Sequence, residues 1–350
     1  MAPPPPACRR RPSSPPALMD ELVEEILLRV PPDEPAHLVR AAAVCRPWRR
    51  IVSIRPRPYD DISVRTQFVP TSPAYAFTPP ADARRSWRAH DCRHGRVLIT
   101  GRPPLELIVW DPITGDQQEL SVPAYPYAYY TTAVLCAVDG CDHLDCHGGP
   151  FRVVFVGWDI NNMESVTWAS IYSSETGAWS ASTSIQLNHI IEGKPSLLFR
   201  NTLYFTLEQG KKFLKYDLAG HKLSEIDTPS VFGAMVVKTK DRGLGFVWML
   251  HNRIYLLSKQ DDAIGIAGLG WTKVRFIELE TLLPKMIPSS SRYLIGSAEG
   301  TDIVFVHMDA GVFALDLDSG KVRRVGESGP RYAILPYMST YTPDLAKGRL

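Results

Sequence analysis

Hydrophobic residues follow a helical period near the start of the chain. Leu22, Val23, Ile26, Leu27 and Val30 fall at i, i+1, i+4, i+5 and i+8, which places one apolar stripe along a helix. Two prolines end this helix, and a second helix and a short third one follow before residue 54. Fewer than forty residues bury little core by themselves. This three-helix segment is therefore expected to dock on a partner or on a neighbouring domain.

From about residue 62 the pattern changes to short apolar runs separated by Gly, Asp, Asn and Pro, which predicts many short β-strands. One unit recurs there: an apolar run, an acidic residue or serine, and then a turn that usually contains glycine. The five instances are Ile108–Gly115, Ile171–Trp179, Leu214–Gly220, Ile254–Ser258 and Phe313–Gly320. Their glycines recur at intervals of 62, 43 and 100 residues, the last interval holding two units. Such periods are typical of propeller blades.

These patterns predict an α+β multidomain chain, in which a small all-α segment precedes an all-β, five- to six-bladed propeller-like domain. A pair of β-sandwiches is the alternative architecture. Strands near residues 62–78 and 333–338 would complete a sixth blade or close the ring. The predicted segments are a Pro/Arg-rich tail at 1–17, the helices at 18–53, a linker at 54–61, the β-domain at 62–342 and a tail at 343–350.

Composition narrows the classes of partner. The 350 residues carry a formal net charge of +2, which argues against a dedicated nucleic-acid or membrane-surface binder. Residues 1–17 hold no apolar core of signal-peptide length, and no window matches a membrane-spanning helix. The six cysteines do not form the pattern of a secreted disulfide framework. A cytoplasmic or nuclear location is therefore expected.

The helical segment resembles an F-box. Leu18 to Pro32 resembles its first half and Val44 to Ile51 its second, although Met19 stands where the family usually has proline. In F-box proteins this segment binds a Skp-family adaptor, which links it to a cullin–RING ligase. The resemblance implies that the adaptor contact, or the small core behind it, is formed by Leu18, Met19, Leu22, Ile26, Leu27, Val30, Pro31, Leu38, Val44, Cys45 and Trp48.

The β-rich remainder resembles the propeller-like domain that follows the F-box in grass F-box proteins. The stretches that carry the resemblance are Trp87–Val97, Val109–Pro112, Gly140–Phe151, Tyr172–Ser174 and Pro336–Pro343. It implies a substrate-recognition subunit of an SCF-type ubiquitin ligase, whose β-domain binds a target protein. Two alternatives stay open. One is an F-box protein that acts outside an active ligase, and the other is a propeller that binds or hydrolyses a ligand.

One group of side chains has the chemistry of a metal site. Cys136, Cys141, His143, Cys146 and His147 offer the thiolates and imidazoles that zinc prefers, and His90, Cys92 and His94 precede them. Their spacing matches no known zinc motif, which favours a loop with buried or free thiols. No metal and no cofactor are expected, and this cluster is the candidate if a metal binds.

No catalytic residue is predicted. Asp111, Asp217 and Asp316 recur at equivalent turn positions, which indicates turn chemistry and not a unique site. The sequence has no Gly-x-Ser-x-Gly elbow, no phosphate-binding glycine loop and no zincin helix. The expected role is therefore that of a non-catalytic adaptor.

Overall fold

The structure is a computed structural model, which divides into two compact units, Met1–Ile62 and Ser63–Leu350. It describes residues 88–100, 105–141, 143, 149–161, 164–226, 231–239, 243–250, 253–259, 271–279, 292–327 and 333–337. The predicted three helices and all eleven predicted adaptor-contact residues, from Leu18 to Trp48, lie outside the described residues. So do the possible strands at 62–78.

The described residues form five antiparallel sheets, each made from consecutive strands. The first contains β1 (Arg88–Arg93), β2 (Arg96–Thr100), β3 (Leu107–Trp110) and β4 (Gln117–Leu120). The second contains β5 (Tyr129–Cys136), β6 (Phe151–Asn161), β7 (Glu164–Ser173), β8 (Ala178–Trp179) and β9 (Thr183–Gln186), and both β8 and β9 pair with β7.

The other three sheets have four strands each. The third contains β10 (Leu197–Phe199), β11 (Thr202–Leu207), β12 (Lys212–Asp217) and β13 (Lys222–Ile226). The fourth contains β14 (Met235–Lys238), β15 (Leu244–Leu250), β16 (Arg253–Lys259) and β17 (Trp271–Glu278). The fifth contains β18 (Tyr293–Ser297), β19 (Ile303–Met308), β20 (Gly311–Asp316) and β21 (Val322–Gly326). This is a five-bladed propeller, and the β-sandwich alternative is wrong.

The hydrophobic core lies between the blades. Phe155 and Val153 of the second blade pack with Leu98 and Leu107 of the first, and all four are fully buried. Alternate residues of the same strand, such as Val154, pack toward the third blade. Each blade therefore has two apolar faces, which explains why its middle strands are almost continuously hydrophobic. A single blade could not bury both faces, so the fold depends on neighbouring blades.

Each of the five recurring sequence units falls on the third strand of a blade, and four of them continue through the turn to the fourth strand. Gly115, Gly177 and Gly320 have positive φ angles of 81°, 67° and 69°, as the turns require. In the turn after β12 the positive φ of 48° belongs to His221 and not to Gly220.

A segment near the C-terminal end connects the last blade to the first. The Ile334 backbone N–H donates to the Ile295 carbonyl on β18 over 2.8 Å. Tyr337 packs against Val97 and Trp110, and its hydroxyl donates to the Gly95 carbonyl over 3.4 Å. Of the two predicted roles for this region, these contacts match closure of the ring, since residues 333–337 form no strand of a sixth sheet.

The turn aspartates accept backbone hydrogen bonds. Asp316 Oδ1 accepts N–H groups from Asp318 and Ser319 at 2.9 Å each, and Asp111 Oδ1 does the same for Ile113 and Thr114. The predicted turn chemistry is therefore confirmed for these two positions.

We expect Asp316→Ala to lower the free energy of unfolding by about 0.5–1.5 kcal/mol, because two backbone donors lose their acceptor. These hydrogen bonds also lower the pKa of Asp316. A carboxyl pKa that is lower in the folded state than in the unfolded state stabilises the fold at pH values above the unfolded-state pKa. The difference in unfolding free energy between Asp316→Ala and wild type should therefore narrow as the pH falls below about 4. Urea denaturation at several pH values measures it. Glu119→Ala, at an exposed carboxylate on β4, should show neither effect.

Candidate functional site

The first strands of four blades meet in a buried charged cluster, which we call the central network: Asp91, Arg93, Ser196 and Glu299. Arg93 Nε donates to Glu299 Oε2 over 2.5 Å, and one Nη donates to Ser196 Oγ over 3.1 Å. The guanidinium also bonds Asp91 and the Ser196 carbonyl. Only 4% of the Arg93 side chain is exposed, so the cation is held by these partners and not by water.

Backbone groups complete the central network. Asp91 accepts N–H groups from Cys92 on its own strand and Val134 on β5, both at 2.8 Å. Glu299 Oε1 accepts the Leu198 N–H from β10 at 3.0 Å. Asp91 and Arg93 lie on the first blade, Val134 on the second, Leu198 on the third and Glu299 directly after β18 of the fifth. The central network therefore ties four blades together at the axis of the propeller.

Burial and charge act in opposite directions on the central network. Burial raises the pKa of Asp91 to about 6, while the Arg93 guanidinium and two backbone donors oppose the increase. Burial lowers the pKa of Arg93, but the attraction of Asp91 and Glu299 outweighs it, so the net direction is upward. At neutral pH the guanidinium and the Asp91 carboxylate are thus both charged, and each is satisfied inside the protein.

The second feature is a Cys/His cluster, made of His94, Cys136, Cys141 and His143. His94 and Gly95 form the two-residue turn between β1 and β2, with φ angles of 52° and 76°. The Cys136 N–H donates to His94 Nδ1 over 3.0 Å. The His94 and His143 rings stack with centroids 3.9 Å apart and planes 15° from parallel. Burial lowers the pKa of His94 to about 3, with the nearby His143, Arg93 and Arg96 adding to the decrease.

The structure brings together three of the five predicted metal ligands. One ligand atom from each of Cys136, Cys141 and His143 lies within 4.8 Å of the other two. Cys146 and His147 lie outside the described residues. The upstream His94 joins the cluster, whereas His90 bonds Thr100 Oγ1 at 2.8 Å and Cys92 packs beside apolar side chains. Burial also raises the pKa of the Cys92 thiol, which keeps it protonated.

A cavity beside Glu299 has a volume of about 10 Å³ and is lined by Leu197, Val237, Ser297 and Thr301 among others. That volume fits about one water molecule. Within the part of the chain that the structure describes, no helix is long and apolar enough to cross a membrane.

The central network was not identified from the sequence, although Asp91 and Arg93 lie within Trp87–Val97, one of the stretches that carry the family resemblance. Asp91 and Arg93 did not stand out, because β1 reads Arg-Ala-His-Asp-Cys-Arg and is mostly polar in sequence. Both residues are at most 6% exposed. Buried charges need partners, but Glu299 lies more than two hundred residues away in the sequence. Sequence spacing could not pair them.

Comparison with known proteins gives two family matches. A family model described as "F-box protein AT5G49610-like, beta-propeller" matches residues 88–345, and the F-box domain model matches residues 18–58. These matches confirm the prediction of an F-box combined with a propeller domain. No curated protein matches this sequence.

Solved structures of diverse description are similar to this chain. The WD40 domain of SCAP from fission yeast has 12% identity and a TM-score of 0.38, covering 71% of this chain and 56% of that one. The Dos1 propeller has 9% identity and a TM-score of 0.39, covering 70% and 60%. A mutant alpha-L-arabinofuranosidase arb93a from Fusarium graminearum, bound to an iminosugar inhibitor, has 13% identity and a TM-score of 0.42, covering 75% and 86%.

At these TM-scores the likeness supports no conclusion about this chain. The chain also spans only 27% to 62% of the lengths of the first four solved structures that it matches.

Proposed function

We propose that this chain, which belongs to the AT5G49610-like family of F-box proteins with a β-propeller, is the substrate-recognition subunit of an SCF-type cullin–RING ubiquitin ligase. The F-box at residues 18–58 binds a Skp-family adaptor, and the propeller binds the target protein. The observation that carries the proposal is the presence, in this order, of a docking segment and a separate recognition domain in one chain.

In this role the chain performs no covalent chemistry. It holds a target near the transfer enzymes, which raises the effective concentration of the acceptor lysines. One feature of the described residues is compatible with this role: the charged groups of Arg93, Asp91 and Glu299 bind one another. The protein acts in the cytoplasm or the nucleus, where the ligase components and soluble targets are present.

The first test removes the apolar stripe of the F-box. We expect the triple variant Leu22→Ala, Ile26→Ala and Trp48→Ala to lose capture of a co-expressed Skp-family adaptor, because each substitution removes apolar contact area at the docking face. The measurement is co-purification of the adaptor with the tagged full-length chain. We expect binding to fall by at least about 100-fold, since three anchor residues at roughly 1–2 kcal/mol each exceed that ratio.

A matched control removes three exposed apolar side chains from the propeller: Phe232, Leu250 and Phe276, which are 62%, 49% and 53% exposed. Their replacement by alanine should leave adaptor capture unchanged. Capture that survives in the F-box variant would contradict adaptor binding through this stripe. Capture of the adaptor without any cullin would favour an F-box protein that acts outside an active ligase.

A further inference from the structure

We propose that Cys136, Cys141 and His143 bind one Zn²⁺ ion. Their ligand atoms lie within 4.8 Å of one another, and two thiolates with one imidazole match the preference of zinc. In a tetrahedral site with zinc bonds of about 2.1–2.3 Å, ligand atoms are roughly 3.7 Å apart. The ligand atoms therefore need to approach one another by about 1 Å to complete the site. Rotation of their side chains can provide this movement.

Both sulfur atoms already accept backbone hydrogen bonds. The Val138 N–H donates to Cys136 Sγ and the His143 N–H donates to Cys141 Sγ, each over 3.4 Å. In both cases the donor lies two residues after the cysteine. A thiol is a weak acceptor, whereas a metal-bound thiolate carries negative charge and is stabilised by such donors. Each of the two sulfurs thus has a backbone donor of the kind that stabilises a thiolate.

The loop that holds these residues is anchored at its base. It connects β5 to β6, and the Ala137 N–H donates to the Pro150 carbonyl over 3.0 Å. Arg96 Nη2 on β2 donates to the Gly149 carbonyl over 2.5 Å, and its guanidinium lies 5.4 Å from the Phe151 ring centroid. A fixed base reduces the conformational entropy that is lost when the three ligands bind a metal, which favours binding.

His94 orients the site but does not complete it. Its Nδ1 accepts the Cys136 N–H, so the hydrogen of a neutral ring is on Nε2, which then donates and cannot bind a metal. Its ring stacks on His143 and restrains the imidazole that we assign as a ligand. The described residues therefore supply three ligands, and a water molecule or one further donor takes the fourth position of the tetrahedron.

The ion would bind residues of the second blade alone, and His94 contacts them from the β1–β2 turn of the first blade. His143 has a φ of 63°, a left-handed conformation that costs a non-glycine residue free energy. Binding of the imidazole to zinc offsets this cost, since the conformation places the ring beside both sulfurs. Chelation should therefore loosen the loop and leave the central network intact.

The test measures zinc in the full-length protein, purified without chelator, by inductively coupled plasma mass spectrometry. We expect about one zinc per chain, and less than roughly a fifth of that in Cys136→Ser and in Cys141→Ser, since each removes a thiolate ligand. Cys92→Ser is the matched control, because that thiol lies outside the cluster, and it should keep its zinc. Equal zinc content in wild type and Cys136→Ser would overturn the proposal.

Titration with Co²⁺ gives a readout that does not depend on the folding of a variant. Wild-type protein, once stripped of metal, should develop a thiolate-to-cobalt charge-transfer absorption and the intense visible bands of tetrahedral coordination. His143→Asn, at an exposed position, should weaken cobalt binding by at least about tenfold, since one of three ligands is lost. Absence of the charge-transfer band overturns the proposal. So does an intact mass that is lower by two hydrogen atoms, which indicates a disulfide instead.

Discussion

Replacing Arg93 by methionine is expected to lower the free energy of unfolding of the propeller by about 3–5 kcal/mol, the cost of leaving buried charges without their partner. Arg93 is the only cation that bonds both Asp91 and Glu299 among the described residues, and 4% of its side chain is exposed. Methionine fills most of the volume but neutralises neither carboxylate. Urea denaturation of the full-length protein, followed by tryptophan fluorescence, measures the change.

Two variants separate charge from packing. Arg324→Met removes an arginine that is 51% exposed and pairs with Glu327 over 2.7 Å, and it should cost less than about 1 kcal/mol. The combined variant Arg93→Met, Asp91→Asn and Glu299→Gln leaves no charge in the central network, so it should recover part of the loss. A combined variant that is no more stable than Arg93→Met alone would show that packing, and not charge, is responsible.

The same substitution should make stability depend on pH. Burial raises the pKa of Asp91 to about 6 even with Arg93 beside it, and removal of Arg93 takes away the main opposing effect. A raised carboxyl pKa means that the folded state binds the proton more tightly, so stability falls as the pH rises through that pKa. The difference between wild type and Arg93→Met should therefore widen from pH 6 to pH 8. A constant difference would contradict a raised Asp91 pKa in the variant.

The sequence predicted the repeat because blades impose a local pattern. Four of the five instances, such as Ile108–Gly115, combine the third strand of a blade with the turn that follows, and both depend on neighbouring residues alone. Alternation of apolar and turn residues is visible within ten positions. The blade count was left at five to six, because whether the segment around Tyr337 adds a strand or closes the ring depends on a contact with Gly95 that no local pattern encodes.

The candidate sites were predicted only where their members are close in sequence. Cys136, Cys141 and His143 lie within eight residues, so their shared chemistry was visible. The contribution of His94 was not assigned, since it reaches the cluster through pairing of the β1–β2 turn with the end of β5. The central network was missed for the same reason: Arg93, Ser196 and Glu299 meet only after three blades have assembled.

The largest expected effect of a packing change belongs to Phe155, at the centre of the interface between the first two blades. Its side chain is fully buried and stacks on Tyr130 at 5.3 Å and on Trp168 at 5.4 Å, with planes 11° and 14° from parallel. Tyr127 and Trp179 meet it edge-on at 5.2 and 6.3 Å. Stacked and edge-to-face contacts add to the burial of its area.

Phe155→Ala should therefore lower the free energy of unfolding by about 3–5 kcal/mol, since it opens a cavity that four rigid rings cannot fill. Phe155→Leu should cost less, because leucine keeps much of the volume and loses the stacking. Phe276→Ala on β17, where the ring is 53% exposed, is the matched control and should cost under about 1 kcal/mol. Thermal and urea denaturation of the three variants give the comparison. Equal losses at Phe155 and Phe276 would mean that the interface between the first two blades does not limit the stability of the propeller.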